Sequence, residues 1–193
     1  MENPGEFAPF RTTICGVAEL DGHCAAGVTH VVSVLDPEWP ALEAFDAFGA
    51  HERLDLRFHD IVDALPGLRS PARADIERLL RFGSALAATP AAHLLVHCQM
   101  GLSRSTAALV LLLAQGRPDR SAAEIIAEVV RQRPRAWPNL RVIEFGDALL
   151  GRGGSLIAAV GACYRARIEG RPQLADAMIE MGRARELDCA RRA

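Results

Sequence analysis

The sequence predicts an α/β fold, with a central, mostly parallel sheet of four to five strands and helices on both faces. Segments with strand patterns alternate with segments with helical patterns along the first 150 residues. Gly, Pro and Asp separate these segments, and an apolar strand at residues 93–97 leads into an apolar helix, which is typical of a buried parallel sheet. Ligands of such sheets bind at the carboxyl ends of the strands.

Four segments have the patterns of strands. Residues 12–15 are a short strand, and residues 29–35 are a β-branched run that ends at Asp36, before a proline. Residues 53–58 alternate between apolar and charged side chains, which predicts a strand with one exposed face. The fourth strand, residues 93–97, ends where a turn of polar residues begins.

Caps and apolar periodicity predict the helices. Ser70 and Pro71 supply an N-cap and a first-turn proline for a helix that continues to about residue 88. Ser121 and Glu124 form a capping box that opens a later helix. Three further segments have helical patterns, namely residues 103–115, 139–150 and 155–188, the last as one or two helices.

The length of 193 residues indicates one globular domain with a short appendage. We place a main domain at residues 1–152 and a helical extension at residues 153–193, which we expect to pack on the same domain. The net charge of −2 gives no electrostatic signal for nucleic acid. All 22 basic residues are Arg, which excludes a P-loop lysine, a Schiff-base lysine and a pyridoxal enzyme, and we expect no cofactor.

The cysteines are odd in number and include no C-x-x-C pair. They are Cys15, Cys24, Cys98, Cys163 and Cys189. This pattern disfavours a disulfide scaffold and a zinc site, so we expect no metal and a reducing, cytoplasmic compartment. The amino terminus lacks the apolar segment of a secretory signal, and the longest apolar run, residues 107–114, is too short to cross a bilayer. We therefore expect a soluble protein without a membrane span.

The turn after the fourth strand has the composition of a phosphate site. Residues 97–105 read H-C-Q-M-G-L-S-R-S. Five residues between the cysteine and the arginine let the chain curl so that backbone N–H groups point to one centre, those of Gln99, Met100, Gly101, Leu102, Ser103 and Arg104. The following helix adds its N-terminal dipole at the same point, which would also ionise Cys98 at neutral pH. Arg104 can bind two phosphate oxygens at once, and Gly101 permits a backbone geometry that a Cβ would obstruct.

This H-C-x5-R-S pattern resembles the signature loop of the cysteine-dependent protein tyrosine phosphatases, most closely their dual-specificity subfamily. The resemblance covers residues 10–150 and implies a protein tyrosine phosphatase-like fold. It also implies that Cys98 attacks phosphorus to form a cysteinyl-phosphate, while Arg104 stabilises the charge on the phosphoryl oxygens. Ser105 would hydrogen-bond the sulfur in the second step, and His97 would orient the loop.

A leaving-group acid is also needed, because an alkoxide or phenoxide leaves poorly without a proton. Asp60 lies just past a predicted strand, 38 residues before Cys98, and matches the family's acid best. Asp63 on the same loop is the alternative. Asp36 follows another strand, but an Asp-Pro pair is ordinarily the start of a turn.

Asn139, in a Trp-Pro-Asn sequence, resembles a segment that follows the active-site helix in these phosphatases. It either braces the signature loop or caps the helix that begins there. The sequence does not separate these two roles.

The resemblance implies that the substrate is a phosphorylated protein or a small phosphomonoester, and that the enzyme has tyrosine or dual specificity. The loop side chains of Gln99, Met100, Leu102 and Ser103 carry no charge, which makes phosphoinositides or inositol phosphates the less favoured alternative. Two other classes compete: a rhodanese-type sulfurtransferase, whose loop is usually shorter, and a non-catalytic phosphate-recognition module, which typically lacks the cysteine or the arginine.

Overall fold

The centre of the fold is a four-stranded parallel sheet, described for residues 7–193 in a computed structural model. The acidic amino terminus, where we expect no secretory signal, begins outside these residues. The strands are β1 (Arg11–Gly16), β2 (His30–Leu35), β3 (Glu52–Arg57) and β4 (His93–Cys98). Their order in the sheet is β1-β4-β2-β3, and every neighbouring pair is parallel. The four strands therefore end at one edge of the sheet, where a site is expected.

The described residues contain seven α-helices and two 3-10 helices. The α-helices are α1 (Arg73–Ala87), α2 (Arg104–Gly116), α3 (Ala122–Gln132), α4 (Leu140–Leu149), α5 (Ser155–Gly170), α6 (Gln173–Glu180) and α7 (Ala184–Arg192). The 3-10 helices are Val17–His23 and Glu43–Ala47.

The two faces of the sheet are covered unequally. Alternate strand residues such as Val32 and Val96 join a large apolar cluster to which all seven α-helices contribute. The opposite face, with Val31 and Leu95, packs against the two 3-10 helices in a much smaller cluster. The predicted α/β architecture with helices on both faces is confirmed, with four strands and with all the α-helices on the side of the large cluster.

One helix start was predicted wrongly. Helix α1 begins at Arg73 with Ala72 as its N-cap, so Ser70 and Pro71 precede the cap. The backbone N–H of Ala72 donates to the Asp75 carboxylate at 3.0 Å, so the third helical residue satisfies this helix terminus without a capping side chain. The predicted Ser121 capping box of α3 is present.

The carboxyl-terminal helices share the core of the rest of the chain. Tyr164 of α5 and Leu187 of α7 are buried in the same cluster as the sheet residues. The Tyr164 ring stacks on the Trp137 ring, with their centroids 4.6 Å apart. Within residues 7–193, no helix combines the length and the apolar character that a membrane crossing requires.

Candidate active site

The 98–104 loop connects the end of β4 to the start of α2. Its backbone carbonyls are held from outside the loop. Val17 N–H donates to the Gln99 carbonyl at 3.0 Å, and Trp137 N–H donates to the Leu102 carbonyl at 2.7 Å. The Arg133 guanidinium donates to the carbonyls of residues 100 and 101, at 2.9 and 3.1 Å. Asn139 N–H and the Thr106 hydroxyl donate to the carbonyl of residue 103.

The N–H groups of this loop therefore face the space that it encloses. In a trans peptide the carbonyl of one residue and the N–H of the next point in opposite directions. Carbonyls tied outward at residues 99–103 turn the N–H groups of residues 100–104 inward. Within the described part of the chain, no backbone N–H of residues 99–104 donates to another protein group. Convergent, unpaired donors of this kind can bind an anion.

Gly101 is required by both conformation and contact. Its φ is +68°, a left-handed conformation that a side chain disfavours. A Cβ at this position would lie 2.6 Å from the carbonyl carbon and oxygen of Cys15, and 2.8 Å from the backbone nitrogen of Gly16. These are backbone atoms of β1, so they could not move aside as a flexible side chain does. The close approach of β1 thus fixes the position of the 98–104 loop.

Cys98 lies at the closed end of the loop. The residue is 2% exposed, and its Sγ is 3.2 Å from the Ser105 hydroxyl oxygen, as a hydrogen bond to the sulfur requires. The neighbouring His97 is fully buried, and burial lowers its pKa to about 4, so it is neutral at pH 7. Cys15 occupies the adjacent strand on the other face of the sheet, and burial raises its pKa to about 12. Cys15 is therefore an unreactive thiol at neutral pH.

Arg104 is anchored on one side and free on the other. Its Nη1 donates to the Asp36 carboxylate at 2.6 Å and to the Phe58 carbonyl at 2.7 Å. Its buried Nε has no described partner, and the adjacent Nη2 has none either. The residue is only 2% exposed, so the free edge of the guanidinium is directed within the site. This edge presents two parallel donors, which match two oxygens of a tetrahedral anion.

Asp36 was not predicted to contact the loop. Its backbone carbonyl accepts from Trp39 N–H at 3.1 Å, which is the turn that the sequence predicts. Its side chain has the additional contact with Arg104. The only sequence signal is a carboxylate at the end of a strand, and that signal is shared with many turns.

The structure brings one of the two acid candidates to the loop. Asp60 accepts from the Ser103 hydroxyl at 2.7 Å and from Asn139 Nδ2 at 2.9 Å. Its side chain is 30% exposed. Asp63 instead pairs with Arg185 of α7 at 3.0 Å. Of the two acid candidates, Asp60 is therefore the one that contacts the 98–104 loop.

Asn139 combines the two roles that the sequence left open. Its side-chain oxygen accepts from Val142 N–H at 3.1 Å and caps α4. Its backbone N–H donates to the Ser103 carbonyl at 3.3 Å, and its side-chain amide donates to Asp60. One residue thus connects the start of α4, the loop and the acid candidate.

A further residue at this site comes from the carboxyl-terminal segment. Arg183, directly before α7, lies 3.3 Å from the Asp60 carboxylate and donates to the Ser103 hydroxyl at 2.9 Å. Nothing in the local sequence around Arg183 indicates this contact, since arginines are abundant throughout the segment.

Comparison with solved structures reveals the same architecture in dual-specificity phosphatases. Human DUSP28 aligns with a TM-score of 0.52 at 20% identity, covering 73% of this chain and 94% of that chain. The chain has a dual-specificity phosphatase fold. A mouse putative dual specificity phosphatase complexed with zinc tungstate shares this fold with a TM-score of 0.51 at 18% identity, covering 75% of this chain and 86% of that chain. Tk-PTP in its active form aligns with a TM-score of 0.53 at 25% identity, covering 74% of this chain and 92% of that chain.

At the level of sequence, no protein-family model and no curated protein matches the chain. The similarity to the dual-specificity phosphatase fold therefore establishes architecture, and the chemistry of the site has to be argued from its own residues.

Proposed function

We propose that this protein is a phosphomonoester hydrolase that acts through a cysteinyl-phosphate intermediate, as a protein tyrosine or dual-specificity phosphatase. One observation carries the proposal: the loop that begins at Cys98 has its carbonyls bonded from outside, so that its N–H groups turn inward, and it leads directly into Arg104, whose guanidinium has a free edge. The oxygens of a phosphate dianion bound there would accept hydrogen bonds from several of these unpaired donors at once.

In the first step, the Cys98 thiolate attacks phosphorus opposite the leaving oxygen. The S–P bond forms as the P–O bond to the leaving group breaks. Asp60, protonated, gives its proton to the departing oxygen. Arg104, fixed by Asp36, is already oriented to bind two of the equatorial oxygens, so little reorganisation is needed as charge develops on them.

In the second step, water attacks the phosphorus of the intermediate. The O–P bond forms, the proton of the water passes to Asp60, and the electron pair of the S–P bond returns to sulfur. The Ser105 hydroxyl, 3.2 Å from that sulfur, stabilises the emerging thiolate. The products are inorganic phosphate and the free enzyme.

The substrate class follows from the loop's uncharged side chains. Of the residues between Cys98 and Arg104, Met100 is 63% exposed and adds an apolar surface at the loop. A substrate with many phosphate groups would find no basic side chain among these loop positions. This favours a phosphorylated side chain, and phosphoinositides or other small phosphomonoesters are the alternative.

The state of the cysteines supports a reducing compartment, and we propose the cytoplasm. All five cysteines are free thiols in the structure. Disulfides are the rule in small secreted domains and are rare in the cytosol.

The test of the proposal is hydrolysis of an aryl phosphate by the purified, reduced protein. We expect turnover that vanadate inhibits and that Cys98→Ser abolishes. Cys163→Ser is the matched control, because Cys163 lies on α5 outside the 98–104 loop and should leave turnover unchanged. An inactive but folded protein that still binds phosphate would support the recognition module instead, and thiosulfate turnover would support a sulfurtransferase.

The acid is tested with Asp60→Asn and Asp63→Asn as a matched pair. Asp60→Asn should reduce turnover of poor leaving groups far more than of good ones and should flatten the alkaline limb of the pH–rate profile. Asp63→Asn should change neither, because Asp63 pairs with Arg185. If Asp63→Asn had these effects and Asp60→Asn did not, Asp63 would be the general acid.

A further inference from the structure

We propose that Arg183 and Glu186, supplied by the carboxyl-terminal segment, are positioning residues of the active site that hold Asp60 and tune its proton affinity. This inference rests on the proposed function. It assigns a role to residues that the catalytic motif does not include, more than 75 positions away along the chain.

The Arg183 guanidinium lies between two carboxylates. Its Nη1 is 3.3 Å from Asp60, while Nε and Nη2 donate to Glu186, both at 2.8 Å. The same Nη2 donates to the Ser103 hydroxyl at 2.9 Å. Burial acts to lower the pKa of Arg183, but Asp60 and Glu186 outweigh burial and raise it above its ordinary value. The cation is therefore permanent, and it contacts both the loop and the acid candidate.

Glu186 anchors this arrangement beneath the site. It is fully buried and accepts from the Trp137 indole N–H at 2.5 Å and from the Leu140 backbone N–H at 3.2 Å. The Tyr164 hydroxyl of α5 lies 3.4 Å from it. A buried carboxylate with this many donors has a fixed position. Arg183 is consequently fixed as well, and so is its contact with Asp60.

The charges of the two residues have opposite effects on Asp60. The Arg183 cation stabilises an ionised Asp60, whereas the Glu186 anion, on the far side of the guanidinium, disfavours it. Arg183 also holds the carboxylate in place through the ion pair at 3.3 Å. A general acid needs both properties, because it must be positioned and must also carry a proton.

The other groups around Asp60 do not duplicate this effect. Ser103 and Asn139 contact it from the loop and from the start of α4, and both are uncharged. His59 on its own loop pairs with Glu38, at 3.2 Å.

Two further ion pairs lie near this loop. Asp63 pairs with Arg185, and Arg104 pairs with Asp36 while it donates to the carbonyl of residue 58. Cys98 and the buried, neutral His97 are the other ionisable side chains of the loop region. Arg133, which donates to the loop carbonyls, pairs with Glu19. Arg183 is therefore the cation that ion-pairs with Asp60 in the described structure.

The experiment measures the alkaline limb of the kcat/KM pH profile with an aryl phosphate in single-charge variants. Arg183→Gln removes the cation, so Asp60 keeps its proton to higher pH and the limb should move up by roughly one pH unit. Glu186→Gln keeps an acceptor but leaves the cation unopposed, so the limb should move down by a similar amount. The double variant should return close to the wild-type limb, because both charges are gone.

Arg185→Gln, two positions after Arg183 and in the first turn of α7, is the matched control. Arg185 pairs with Asp63 and Glu144 and does not contact Asp60, so its loss should leave the limb in place. Arg183→Lys should retain most of the wild-type profile because it keeps the charge. Circular dichroism and thermal melting of each variant establish that it is folded.

Opposite displacements of the limb in the two single variants would support the proposal. Equal losses of kcat/KM in the two single variants, without a displacement of the limb, would show a purely structural role and overturn it. If only the double variant folds, a limb displaced from that of the wild type would likewise overturn it. These outcomes differ from failure of the proposed function, in which the wild-type protein and Arg185→Gln would themselves be inactive.

Discussion

Replacement of Gly101 by alanine tests whether the site depends on the close approach between β1 and the 98–104 loop. The new methyl group would adopt a φ of +68°, which costs roughly 1 kcal/mol for a residue other than glycine. It would also lie 2.6 Å from backbone atoms of Cys15, so either the strand or the loop has to move, at a cost of about 1–3 kcal/mol. We expect Gly101→Ala to lower the free energy of unfolding by about 2–4 kcal/mol.

Gly27→Ala is the matched control. Gly27 has the same φ of +68°, but a Cβ there would meet only a side-chain nitrogen of Arg11, at 3.8 Å. Gly27→Ala should therefore lower the free energy of unfolding only by the strain of the left-handed backbone conformation, about 1 kcal/mol. The smaller conformational entropy of the unfolded chain after a Gly→Ala change applies to both variants and cancels in the comparison.

Urea unfolding and aryl phosphate hydrolysis measure the two consequences. Displacement of the loop by about 1 Å should reduce kcat/KM by about 100-fold in Gly101→Ala, whereas Gly27→Ala should have no effect. If Gly101→Ala and Gly27→Ala lost the same amount of stability and both retained activity, the reasoning would be refuted, because the contact with β1 would then contribute nothing to the free energy of unfolding.

Three further predictions concern single side chains near the loop. Asp36→Ala should lower kcat/KM by about 10–100-fold, because Arg104 loses a charge-assisted hydrogen bond. His97 should make the free energy of unfolding fall by about 3 kcal/mol as the pH decreases from 6.5 to 4, because the unfolded chain binds a proton there and the folded chain does not; urea unfolding against pH in the wild type and His97→Gln isolates this slope. Iodoacetate should label Cys98 and leave Cys15 unlabelled, as peptide mass spectrometry would detect, because burial raises the pKa of Cys15 to about 12.

Each of these has a result that would contradict it. For Asp36, the comparison is Glu38→Ala, which removes a neighbouring, exposed carboxylate that pairs with His59. Equal losses in both variants would exclude a specific role of Asp36 in orienting the arginine. An unchanged slope of stability against pH in His97→Gln would mean that the buried imidazole is protonated in the folded state. Labelling of Cys15 at the rate of Cys98 in the folded protein would show that the sheet does not shield it.

The strands and the motif were predictable because their signals are local. Alternation of polar and apolar side chains identified β3, and β-branched runs identified β2. The H-C-x5-R-S spacing needs only a strand, a turn and a helix in sequence, and all three occur as expected. The start of α1 was not predicted correctly, because the rule that places a capping side chain at the terminus gives no weight to a carboxylate three residues later.

The contacts that complete the site depend on tertiary structure. Asp36 and Arg104 are 68 residues apart, and Ser103 and Arg183 are 80 apart. Only the packed sheet and the position of α7 bring them together. A charged residue at the end of a strand or before a helix has several ordinary uses, so neither partner could be distinguished from the many other charged residues of a chain that is 24% charged.

The stack of Tyr164 on Trp137 has a practical consequence for anyone who wishes to shorten the protein. The indole N–H also donates to Glu186. The Trp137 ring is therefore covered by Tyr164 of α5, and its N–H is paired with a side chain of α7. A truncated version that ends at residue 152 would present this large apolar ring and an unpaired indole N–H to water, directly beneath the segment that leads to Asn139. We expect such a fragment to aggregate during expression, and the boundary that the sequence suggests at this point is a poor place to cut.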